Sequence, residues 1–383
     1  MHTLFIAFYI HVFYCILHVF VDFVRKTLYH FLKISYFYKE GLMGVTIREV
    51  AKEAGVSIST VSKVLNGWTT ISPETVNRVQ EAIRKLHYVP NSRAVNFARG
   101  STMNILFLAA LSKDRVYANP HMFNILCGVQ RELAARNYTL TLVSEPENGA
   151  LEEYLEQITS GKIADGILID GSVFSQKLAK PLIDRQFPHM LIGHPNIGGK
   201  LCWIDTDNGL AGEFAAHHMM ECGYAQVAYI ANREKGYIST HRLNGFLGGM
   251  YYYGYHIPDD YIGYTEDTIA ASHQCALRLL SLPKRPRAIV CENNTMAIGA
   301  IRAINEKKLS IPGDIALLTF DSYPYSQIIE PTPTVVDIDV YDLGVQAAQM
   351  LLRKIENPSL LVQTTTALPV LKQGETTAPE IRK

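Results

Sequence analysis

The sequence predicts two kinds of structure in one chain: an N-terminal all-α helix-turn-helix headpiece and a larger α/β core built on parallel sheets. Three observations lead to this fold class. Two short helical patterns meet at a glycine within residues 46–66. From Asn104 onward, short apolar runs alternate with helical stretches, which is the pattern of buried parallel strands. The length of 383 residues is also too great for one small domain.

The first helix of the headpiece is indicated by its start signal and its apolar face. Thr46 is suited to cap the helix, and Glu49 lies at the third helical position, from which it can reach back to the amide of the cap. The apolar face recurs at helical spacing and consists of Ile47, Val50, Ala51 and Ala54. Gly55 follows, and glycine adopts the left-handed conformation that ends a helix at little cost. We therefore expect a helix that ends in a tight turn at Gly55.

A second helix is predicted directly after this turn. Ser57 is suited to cap it, and Asn66-Gly67 can end it. Its inward face consists of Val61, Val64 and Leu65, whereas Ile58, Ser59, Ser62 and Lys63 are left mostly outward. Two helices joined in this way form a helix-turn-helix, whose second helix can enter the major groove of DNA. Helical hairpins of this kind also occur in unrelated proteins, so the geometry alone leaves the function open.

The residues that follow narrow the interpretation. Ser72-Pro73 begins a third helix, with proline at the first helical position, where its missing N–H group is not needed. Tyr88-Val89-Pro90-Asn91 closes this helix. The order VTIREVAKEAGVSISTVSKVLNG followed by ISPETVNRVQEAIRKLHYVPN is much more specific than any single short motif. From Val45 to Arg99 the chain resembles the lactose-repressor (LacI/GalR) family of bacterial transcription regulators.

This resemblance implies DNA contacts from a headpiece at residues 44–90 and from a hinge at residues 91–101. By the pattern of the family, Ile58, Ser59 and Lys63 reach base edges. The full predicted set consists of Thr46, Ser57, Ile58, Ser59, Thr60, Ser62, Lys63, Asn66, Ser72, Tyr88, Asn91, Ala94 and Phe97. In the family the hinge orders on the operator and inserts an apolar side chain into the minor groove. That position is Phe97 here, where leucine is usual, and ordinary linker packing is its alternative role.

The charge of the headpiece agrees with nucleic-acid binding, although the whole chain has a formal net charge of zero. Residues 44–100 contain eight lysines and arginines against four glutamates. A local positive surplus attracts the phosphate backbone and makes binding depend on salt. A surplus of this size also occurs on ordinary solvated helical surfaces. It therefore supports the DNA interpretation without establishing it.

Residues 1–43 do not resemble the headpiece or the core. Leu4 to Val21 is almost wholly apolar and aromatic, with Arg25-Lys26 after it, so a membrane span of roughly 20 residues is one interpretation. The stretch is a poor signal peptide, because it lacks a basic start and a small-residue cleavage site. Lys39-Glu40-Gly41 can be encoded by a sequence that resembles a ribosome-binding site just upstream of Met43. We expect misassigned upstream translation, with a membrane-spanning anchor as the alternative.

The remainder of the chain, residues 102–383, carries the α/β pattern. The apolar runs are ILFLAAL (105–111), TLTLV (139–143), DGILIDG (165–171), HMLIG (189–193), QVAYIAN (226–232), RAIVCEN (287–293) and DIALLTF (314–320). This region resembles the two-lobed, sugar-binding core of the same family, which is related to periplasmic binding proteins. The resemblance implies an effector-binding and dimerisation domain, with the ligand between the lobes at the carboxyl ends of the strands.

Three residues match the family's effector site and follow predicted strands or lie in the loops after them. They are Arg242, Asn293 and Asp321. Together they offer donors and acceptors in fixed planes, which suits adjacent sugar hydroxyls. Taken singly, each residue type is more often a loop cap or part of a surface ion pair.

Three further residues are candidate effector contacts. Trp203 can stack against a sugar face, or it can pack between the lobes. At NPHMF the chain departs from the family, because His121 and Met122 stand where aromatic residues are usual and Phe123 comes later. His121 and Phe123 are retained as predicted contacts, although a lone histidine is more often structural. The departure predicts an effector whose shape or polarity differs from familiar sugars.

The sequence argues against an enzyme and against a metal or cofactor site. It contains no nucleophile elbow, no P-loop and no dinucleotide-binding fingerprint in a strand–helix context. The six cysteines, at positions 15, 127, 202, 222, 275 and 291, show no paired spacing. Scattered cysteines of this kind fit a reducing cytoplasm and are more often small buried hydrophobes than ligands.

These observations predict a cytoplasmic, sequence-specific transcription regulator, most simply a repressor of carbohydrate-related genes. Its expected partners are double-stranded operator DNA, a sugar or sugar derivative as effector, and a second copy of the chain in a homodimer. No cofactor and no stable membrane association are expected. The alternative is a membrane-anchored sugar-binding receptor, which would use residues 1–43 as its anchor.

Overall fold

The computed structural model describes residues 45–89, 100–111, 121–144, 151–322 and 328–378. The chain divides into two compact units, with the boundary between Gly100 and Ser101. The predictions for residues 1–43 and for Asn91, Ala94 and Phe97 concern positions outside the described residues. Within the described ranges, no helix combines the length and the apolar character needed to cross a membrane.

Three helices form the described part of the N-terminal unit: α1 (Ile47–Ala54), α2 (Ile58–Leu65) and α3 (Pro73–Lys85). Their buried core is small and consists of Val50, Ala51, Ala54, Val61, Val79 and Ala82. Gly55 ends α1 with a φ of 65°, so the left-handed turn predicted from the sequence is confirmed. The apolar spacing together with the cap and stop residues was therefore sufficient to locate these three helices.

Side chains at the helix starts complete this unit. The Glu49 carboxylate accepts hydrogen bonds from the Thr46 N–H group (2.7 Å) and from the Thr46 hydroxyl (2.9 Å), which confirms the predicted return to the cap. The Ser57 hydroxyl accepts from the Thr60 N–H group (3.1 Å), and the Ser72 hydroxyl accepts from the Thr75 N–H group (3.4 Å). Each helix start is thus fixed by residues within three positions of it.

The larger unit contains two six-stranded sheets. The strands of the first sheet are β1 (Asn104–Ala109), β2 (Thr139–Ser144), β3 (Gly166–Asp170), β4 (His189–Ile192), β5 (Trp203–Thr206) and β11 (Thr364–Ala367), in the order β11-β5-β4-β3-β1-β2. The strands of the second sheet are β6 (Val227–Asn232), β7 (Ile262–Thr265), β8 (Ala288–Cys291), β9 (Ala316–Phe320), β10 (Thr334–Asp337) and β12 (Val370–Lys372), in the order β12-β10-β9-β8-β6-β7. Among these strands every pairing is parallel except that of β10 with β12, which is antiparallel.

Helices cover the sheets and explain why inner strands such as β1 and β8 are buried along almost their whole length. The helices are α4 (His121–Ala134), α5 (Leu151–Gly161), α6 (Gln176–Asp184), α7 (Asn208–Glu221), α8 (Tyr237–Tyr252), α9 (Ile269–Leu280), α10 (Asn294–Glu306) and α11 (Val340–Glu356). In β1, Ile105 and Phe107 pack with α4 and α11, whereas Leu106 and Leu108 pack with α5 and α6. Since successive side chains of a strand point to opposite faces, the first sheet is buried on both sides. The second sheet packs against α7, α8, α9 and α10.

The chain passes between the two lobes three times. After β5 in the first sheet, α7 packs into the core of the second lobe. After β10 in the second sheet, α11 packs into the core of the first lobe. The chain then pairs β11 with the first sheet and β12 with the second. These crossings connect the lobes at one end, so a cleft is left between the carboxyl ends of the two sets of strands.

The sequence analysis located seven strands but not β5, β7, β10, β11 or β12. These strands are three or four residues long, and most are less uniformly apolar than the seven that were found. In β11, for example, Thr364–Ala367 alternates between exposed and half-buried positions at the sheet edge. Such segments become strands because a neighbouring strand pairs with them, and this cannot be seen in a local pattern.

Helices α7 and α8 approach each other closely at glycines. A Cβ atom added at Gly245 would lie 2.0 Å from the backbone oxygen of Gly209, and one added at Gly212 would lie 2.1 Å from the backbone oxygen of Arg242. No side chain fits at these distances. This contact sets the position of α8 and therefore of the Arg242 side chain that α8 carries toward the cleft.

We expect Gly245→Ala to destabilise the protein by about 1–3 kcal/mol, because the added methyl group must push α7 and α8 apart. Gly248→Ala is the matched control, since it lies in the same helix and its added Cβ has no neighbour within 4 Å. That control should be neutral or stabilising by up to about 1 kcal/mol, as expected for alanine in a helix. The measurement is the free energy of unfolding in urea. Equal effects of the two substitutions would contradict the close packing.

Candidate functional site

A cleft of about 690 Å³ lies between the lobes at the carboxyl ends of the parallel strands. Its lining comes from the ends of β3, β4, β5, β6, β8 and β9 and from the starts of α4 and α8. Carboxyl ends of parallel strands meet at one edge of a sheet, so side chains that are far apart in sequence converge there. This volume falls in the range of about 300–1,000 Å³ that is usual for small-molecule sites.

The guanidinium group of Arg242 is the central cation of the cleft and is almost completely buried. Its Nε atom donates to the Asn208 side-chain oxygen (3.1 Å), and Nη1 donates to the backbone oxygen of Glu292 (3.0 Å). Nη1 and Nη2 also donate to the two carboxylate oxygens of Asp321, each over 3.2 Å. Four of the five guanidinium N–H groups are thus used within the protein. The group therefore organises the cleft from inside before any ligand binds.

Asp321 is held as firmly as its partner. Its backbone has a φ of 68°, in the left-handed region where aspartate is tolerated better than most residues. The Asn294 side chain donates to its backbone oxygen (2.7 Å), and its own N–H group donates to the backbone oxygen of Val336 (3.0 Å). His121, from the first lobe, places Nε2 at 3.8 Å from the Asp321 carboxylate. The Asp321 carboxylate thus has a neighbour from each lobe, Arg242 from the second and His121 from the first.

Two further carboxyl groups are buried in the cleft wall. Glu292 accepts hydrogen bonds from the Asn232 N–H group (2.8 Å) and the Ser239 hydroxyl (2.6 Å). Asp205 accepts from the N–H groups of His194 (3.0 Å) and Thr206 (2.7 Å). Burial raises the pKa of each carboxyl above its ordinary value, and these hydrogen bonds only partly oppose that effect. The lining is therefore rich in acceptors and acidic in character.

Aromatic and imidazole rings join the two lobes at the cleft. The ring of His194, which follows β4, stacks on Tyr237 at the start of α8, with centroids 3.9 Å apart and planes 6° apart. Trp203 meets the edge of the same imidazole with centroids 4.7 Å apart. Tyr237 also stacks on His241, with centroids 3.8 Å apart. The stacked pair His194–Tyr237 thus joins the first lobe to the second.

The structure brings together most of the effector residues predicted from the sequence. Arg242, Asn293, Asp321 and His121 all line the cleft. Asn293 also caps α10 by accepting from the Met296 N–H group (2.9 Å), so its alternative role as a loop cap is present as well.

Phe123 and Trp203 are placed differently from the prediction. Phe123 is 69% exposed and lies outside the cleft lining, because it is two residues, or about 200°, around α4 from His121. Met122 and Ile125 of the same helix line the cleft instead. Trp203 is not in the lining but contacts it through His194.

Several lining residues were missed by the sequence analysis. Asp170, Asp205, Asn232, Glu292 and Tyr237 all line the cleft. A usable signal existed for three of them, because Asp170, Asn232 and Glu292 are polar residues at the ends of apolar runs that had been read as strands. Tyr237 had no such signal, since it opens a helix whose position depends on the packing of α7 and α8.

The second helix of the headpiece presents the predicted DNA-contacting residues at its surface. Ile58, Ser59 and Lys63 are exposed. Among them, Ile58 is a large apolar side chain that lies on the surface. Thr46, Ser57 and Ser72 are also exposed, whereas Thr60, Ser62, Asn66 and Tyr88 are half-buried. A residue that the sequence analysis did not single out lies beside them: the Trp68 ring, whose centroid is 5.6 Å from the Lys63 ammonium.

Comparison with known families matches both units. Residues 46–91 match the family described as bacterial regulatory proteins, lacI family, and residues 216–377 match the periplasmic binding protein-like domain. The ribose operon repressor of Escherichia coli strain K12 is 27% identical over 331 residues, which cover 86% of this chain and 98% of that protein. The repressor PurR of Erwinia tasmaniensis is 28% identical and covers 87% of this chain and 97% of its own length. The regulator MalR of Streptococcus pneumoniae is 26% identical, covering 82% and 94%.

Solved structures share the fold over the same range. The lac repressor dimer bound to operator and the anti-inducer ONPF superposes with a TM-score of 0.74 and 20% identity, covering 87% of this chain and 99% of that chain. The transcriptional regulator CelR–cellobiose complex gives a TM-score of 0.64 and 24% identity, with coverage of 87% and 99%. A LacI family regulator from Enterococcus faecium with bound ribose gives 0.61 and 21%, with coverage of 72% and 99%.

A helix-turn-helix headpiece joined to a two-lobed core with a buried polar cleft defines a transcription regulator controlled by a small molecule. The chain combines a helix-turn-helix domain of the lacI family of bacterial regulatory proteins with a periplasmic binding protein-like domain. The predicted resemblance is therefore confirmed, and so is the expectation of a regulator rather than an enzyme. The alternative of a membrane-anchored sugar receptor is not supported, because the related proteins are operon repressors.

We expect the substitution Glu292→Gln to reduce the dependence of stability on pH. The folded-state pKa of Glu292 is raised, so the folded protein holds this proton more tightly than the unfolded chain does. Its contribution to stability is therefore present below the unfolded pKa and is lost as the pH rises through the folded pKa. Glutamine can still accept from Ser239 and Asn232 but does not ionise.

The measurement is the free energy of unfolding of both proteins in urea from about pH 4 to about pH 7. The stability of Glu292→Gln relative to the wild type should increase with pH over this window. The exposed Glu266, which pairs only with the exposed Arg233 at 3.5 Å among the described residues, provides the control substitution Glu266→Gln. A relative stability that falls with pH would contradict the assigned direction.

Proposed function

We propose that this protein represses carbohydrate-related genes by binding operator DNA as a homodimer, and that a neutral sugar bound in the cleft between the lobes controls this binding. The observation that carries the proposal is the acceptor-rich cleft around the buried pair Arg242–Asp321. Because operator DNA lies in the bacterial cytoplasm, the protein is proposed to act there. The relatives named for ribose, together with the complexes with cellobiose and ribose, support a sugar as the effector class.

The lining suits the hydroxyl groups and the flat faces of a sugar. Carboxylates and side-chain amides accept and donate in fixed directions, as adjacent hydroxyl groups require. Asn232, Asn293 and Asp170 supply such groups from three different strand ends. His194 and Tyr237 also line the cleft, and the carbon atoms of their rings add apolar surface that the C–H groups of a sugar can contact.

The charge of the cleft favours a neutral ligand over an anionic one. Six carboxyl-bearing residues line the described cleft, namely Asp170, Asp205, Glu234, Asp267, Glu292 and Asp321. Among the described lining residues Arg242 is the one lysine or arginine, and four of its five N–H groups are already used. A phosphate or carboxylate group in the cleft would therefore meet uncompensated like charge. We therefore propose an uncharged sugar as the effector, and not a charged sugar derivative.

The response to the effector is proposed to pass through the arrangement of the two lobes. Ligand contacts come from both lobes, and the pairs His194–Tyr237 and His121–Asp321 join them across the cleft. A ligand shifts an equilibrium between two arrangements only as far as its affinities for them differ. A sugar that fits between these groups binds one arrangement more tightly, and the headpieces of the dimer are then held in a different spacing on the operator.

DNA binding is proposed to use residues 44–90 as headpiece and residues 91–101 as hinge, with residues 102–383 binding effector and partner. The boundary between the compact units, at Gly100–Ser101, supports this division. Base edges are proposed to be read by Ile58, Ser59 and Lys63. The other proposed DNA contacts are Thr46, Ser57, Thr60, Ser62, Asn66, Ser72, Tyr88, Asn91, Ala94 and Phe97, with Phe97 as the wedge in the minor groove.

We expect Lys63→Ala to weaken binding to the preferred operator by about 1–3 kcal/mol and to relax selectivity at one base pair. The reason is that lysine can donate to a guanine edge, which alanine cannot. Lys52→Ala, at an exposed lysine of α1, is the matched control for the loss of one positive charge. The measurement is equilibrium binding to a set of single-base-pair variants of a duplex obtained by in vitro selection. Equal weakening on every duplex would make Lys63 a phosphate contact.

For the effector, we expect a neutral sugar to raise the thermal unfolding midpoint, and its phosphate ester to have little effect at the same concentration. The test compares matched pairs, such as ribose with ribose 5-phosphate and glucose with glucose 6-phosphate. A phosphate ester that binds more tightly than its parent sugar would contradict the proposal that the effector is uncharged. It would point to a cation outside the described lining.

The role of Arg242 in the response is tested with Arg242→Lys rather than Arg242→Ala. Alanine would leave the buried Asp321 carboxylate without a cation, at a cost of about 3–5 kcal/mol, so lost function would not be separable from lost fold. Lysine keeps a cation but removes the planar fork. We expect it to abolish the effect of the sugar on operator binding, with ligand-free operator affinity nearly unchanged. Arg233→Lys, at an exposed arginine, is the control, and a normal response of Arg242→Lys would reject the cleft assignment.

A further inference from the structure

Helix α2 ends in a turn that returns the chain over its last residues. Gly67 has a φ of 71°, and its N–H group donates to the backbone oxygen of Val64 (3.0 Å). The N–H group of Trp68 donates to the backbone oxygen of Lys63 (3.1 Å). These two hydrogen bonds form a Schellman motif, in which the residue after the glycine commonly packs on the residue five positions earlier. The backbone therefore places Trp68 beside Lys63.

Trp68 is not part of the headpiece core. Its side chain is 56% exposed, whereas the buried core of the unit consists of small side chains from α1, α2 and α3. Its contact with a charged partner is the cation–π pair in which the Lys63 ammonium lies 5.6 Å from the ring centroid.

We propose that Trp68 is a positioning residue for Lys63, and that base selectivity at one operator position depends on its indole ring. The ring holds the ammonium group at the end of α2 before DNA is bound. The ammonium has three N–H donors, so one side can face the ring while another donates to a base edge. This proposal rests on the role proposed above for Lys63.

The physical basis is the conformational freedom of lysine. A free lysine side chain has a large rotamer entropy, and an unrestrained ammonium next to DNA can turn to any phosphate in reach. A phosphate contact adds affinity without sequence information. A ring that restricts the rotamers lowers the ordering cost of the base contact and disfavours those alternatives. Trp68 thereby increases the difference between the correct base pair and the others.

The test is a double-mutant cycle on the full chain. Its members are Lys63→Met, Trp68→Leu and the double variant, with Trp68→Phe to restore an aromatic face. Binding is measured to a duplex selected in vitro by the wild-type protein and to its single-base-pair variants. We expect Trp68→Leu to lower affinity for the selected duplex by about two- to fivefold, because the Lys63 side chain must then be ordered when DNA binds. Trp68→Leu should reduce selectivity at the same base pair at which Lys63→Met removes it. Trp68→Phe should keep most of the affinity for the selected duplex.

Three outcomes distinguish the proposal from its alternatives. If Trp68→Leu has no further effect once Lys63 is methionine, the two residues act together as proposed. If Trp68→Leu weakens all duplexes equally and does so in both backgrounds, Trp68 is a backbone contact or only a cap, and the proposal is wrong. If Lys63→Met itself shows no base dependence, the role of Lys63 fails and the positioning role fails with it. Lys52→Met controls for the loss of a lysine, and thermal unfolding without DNA shows whether the headpiece remains folded.

Discussion

The buried ion pair between Arg242 and Asp321 is the interaction on which the arrangement of the cleft depends. It joins α8 to the end of β9, and through Asn208 and the Glu292 backbone it also fixes the start of α7 and the end of β8. A charge so deeply buried is tolerable only when its hydrogen bonds are satisfied, so the surrounding backbone cannot move independently. The second lobe therefore presents a rigid wall to the cleft.

The first lobe meets this wall through fewer and more adaptable contacts. His194 stacks on Tyr237, and His121 approaches Asp321 at 3.8 Å, which is beyond hydrogen-bond length. Three chain crossings connect the two lobes. The second lobe thus offers a rigid wall, and the first lobe contacts this wall mainly by ring stacking. In such a structure a ligand can shift the equilibrium between two arrangements of the lobes without disturbing either hydrophobic core.

The headpiece is stabilised mainly by local interactions and not by a buried ion pair. Its core of small side chains is limited, so its geometry depends on local backbone devices, namely the Glu49–Thr46 pairing and the left-handed glycines Gly55 and Gly67. These devices set the angle of α2 and the place where its exposed side chains lie. The proposed DNA-reading surface is thus built on interactions a few residues apart in sequence, whereas the cleft is lined by residues as far apart as Phe107 and Leu343.

This difference in sequence separation decides which features could be predicted from the sequence by itself. The three helices of the headpiece, their caps and the turn at Gly55 follow from residue types at fixed spacing, and so do the seven strands that were read from apolar runs. Arg242, Asn293 and Asp321 were found because they match the pattern of a family and not because a local rule requires them. Tertiary structure alone decided the short strands such as β5 and β11, the placement of Phe123 outside the cleft, and the pairing of His194 with Tyr237. Each of these depends on which elements pack together, and no local pattern carries that information.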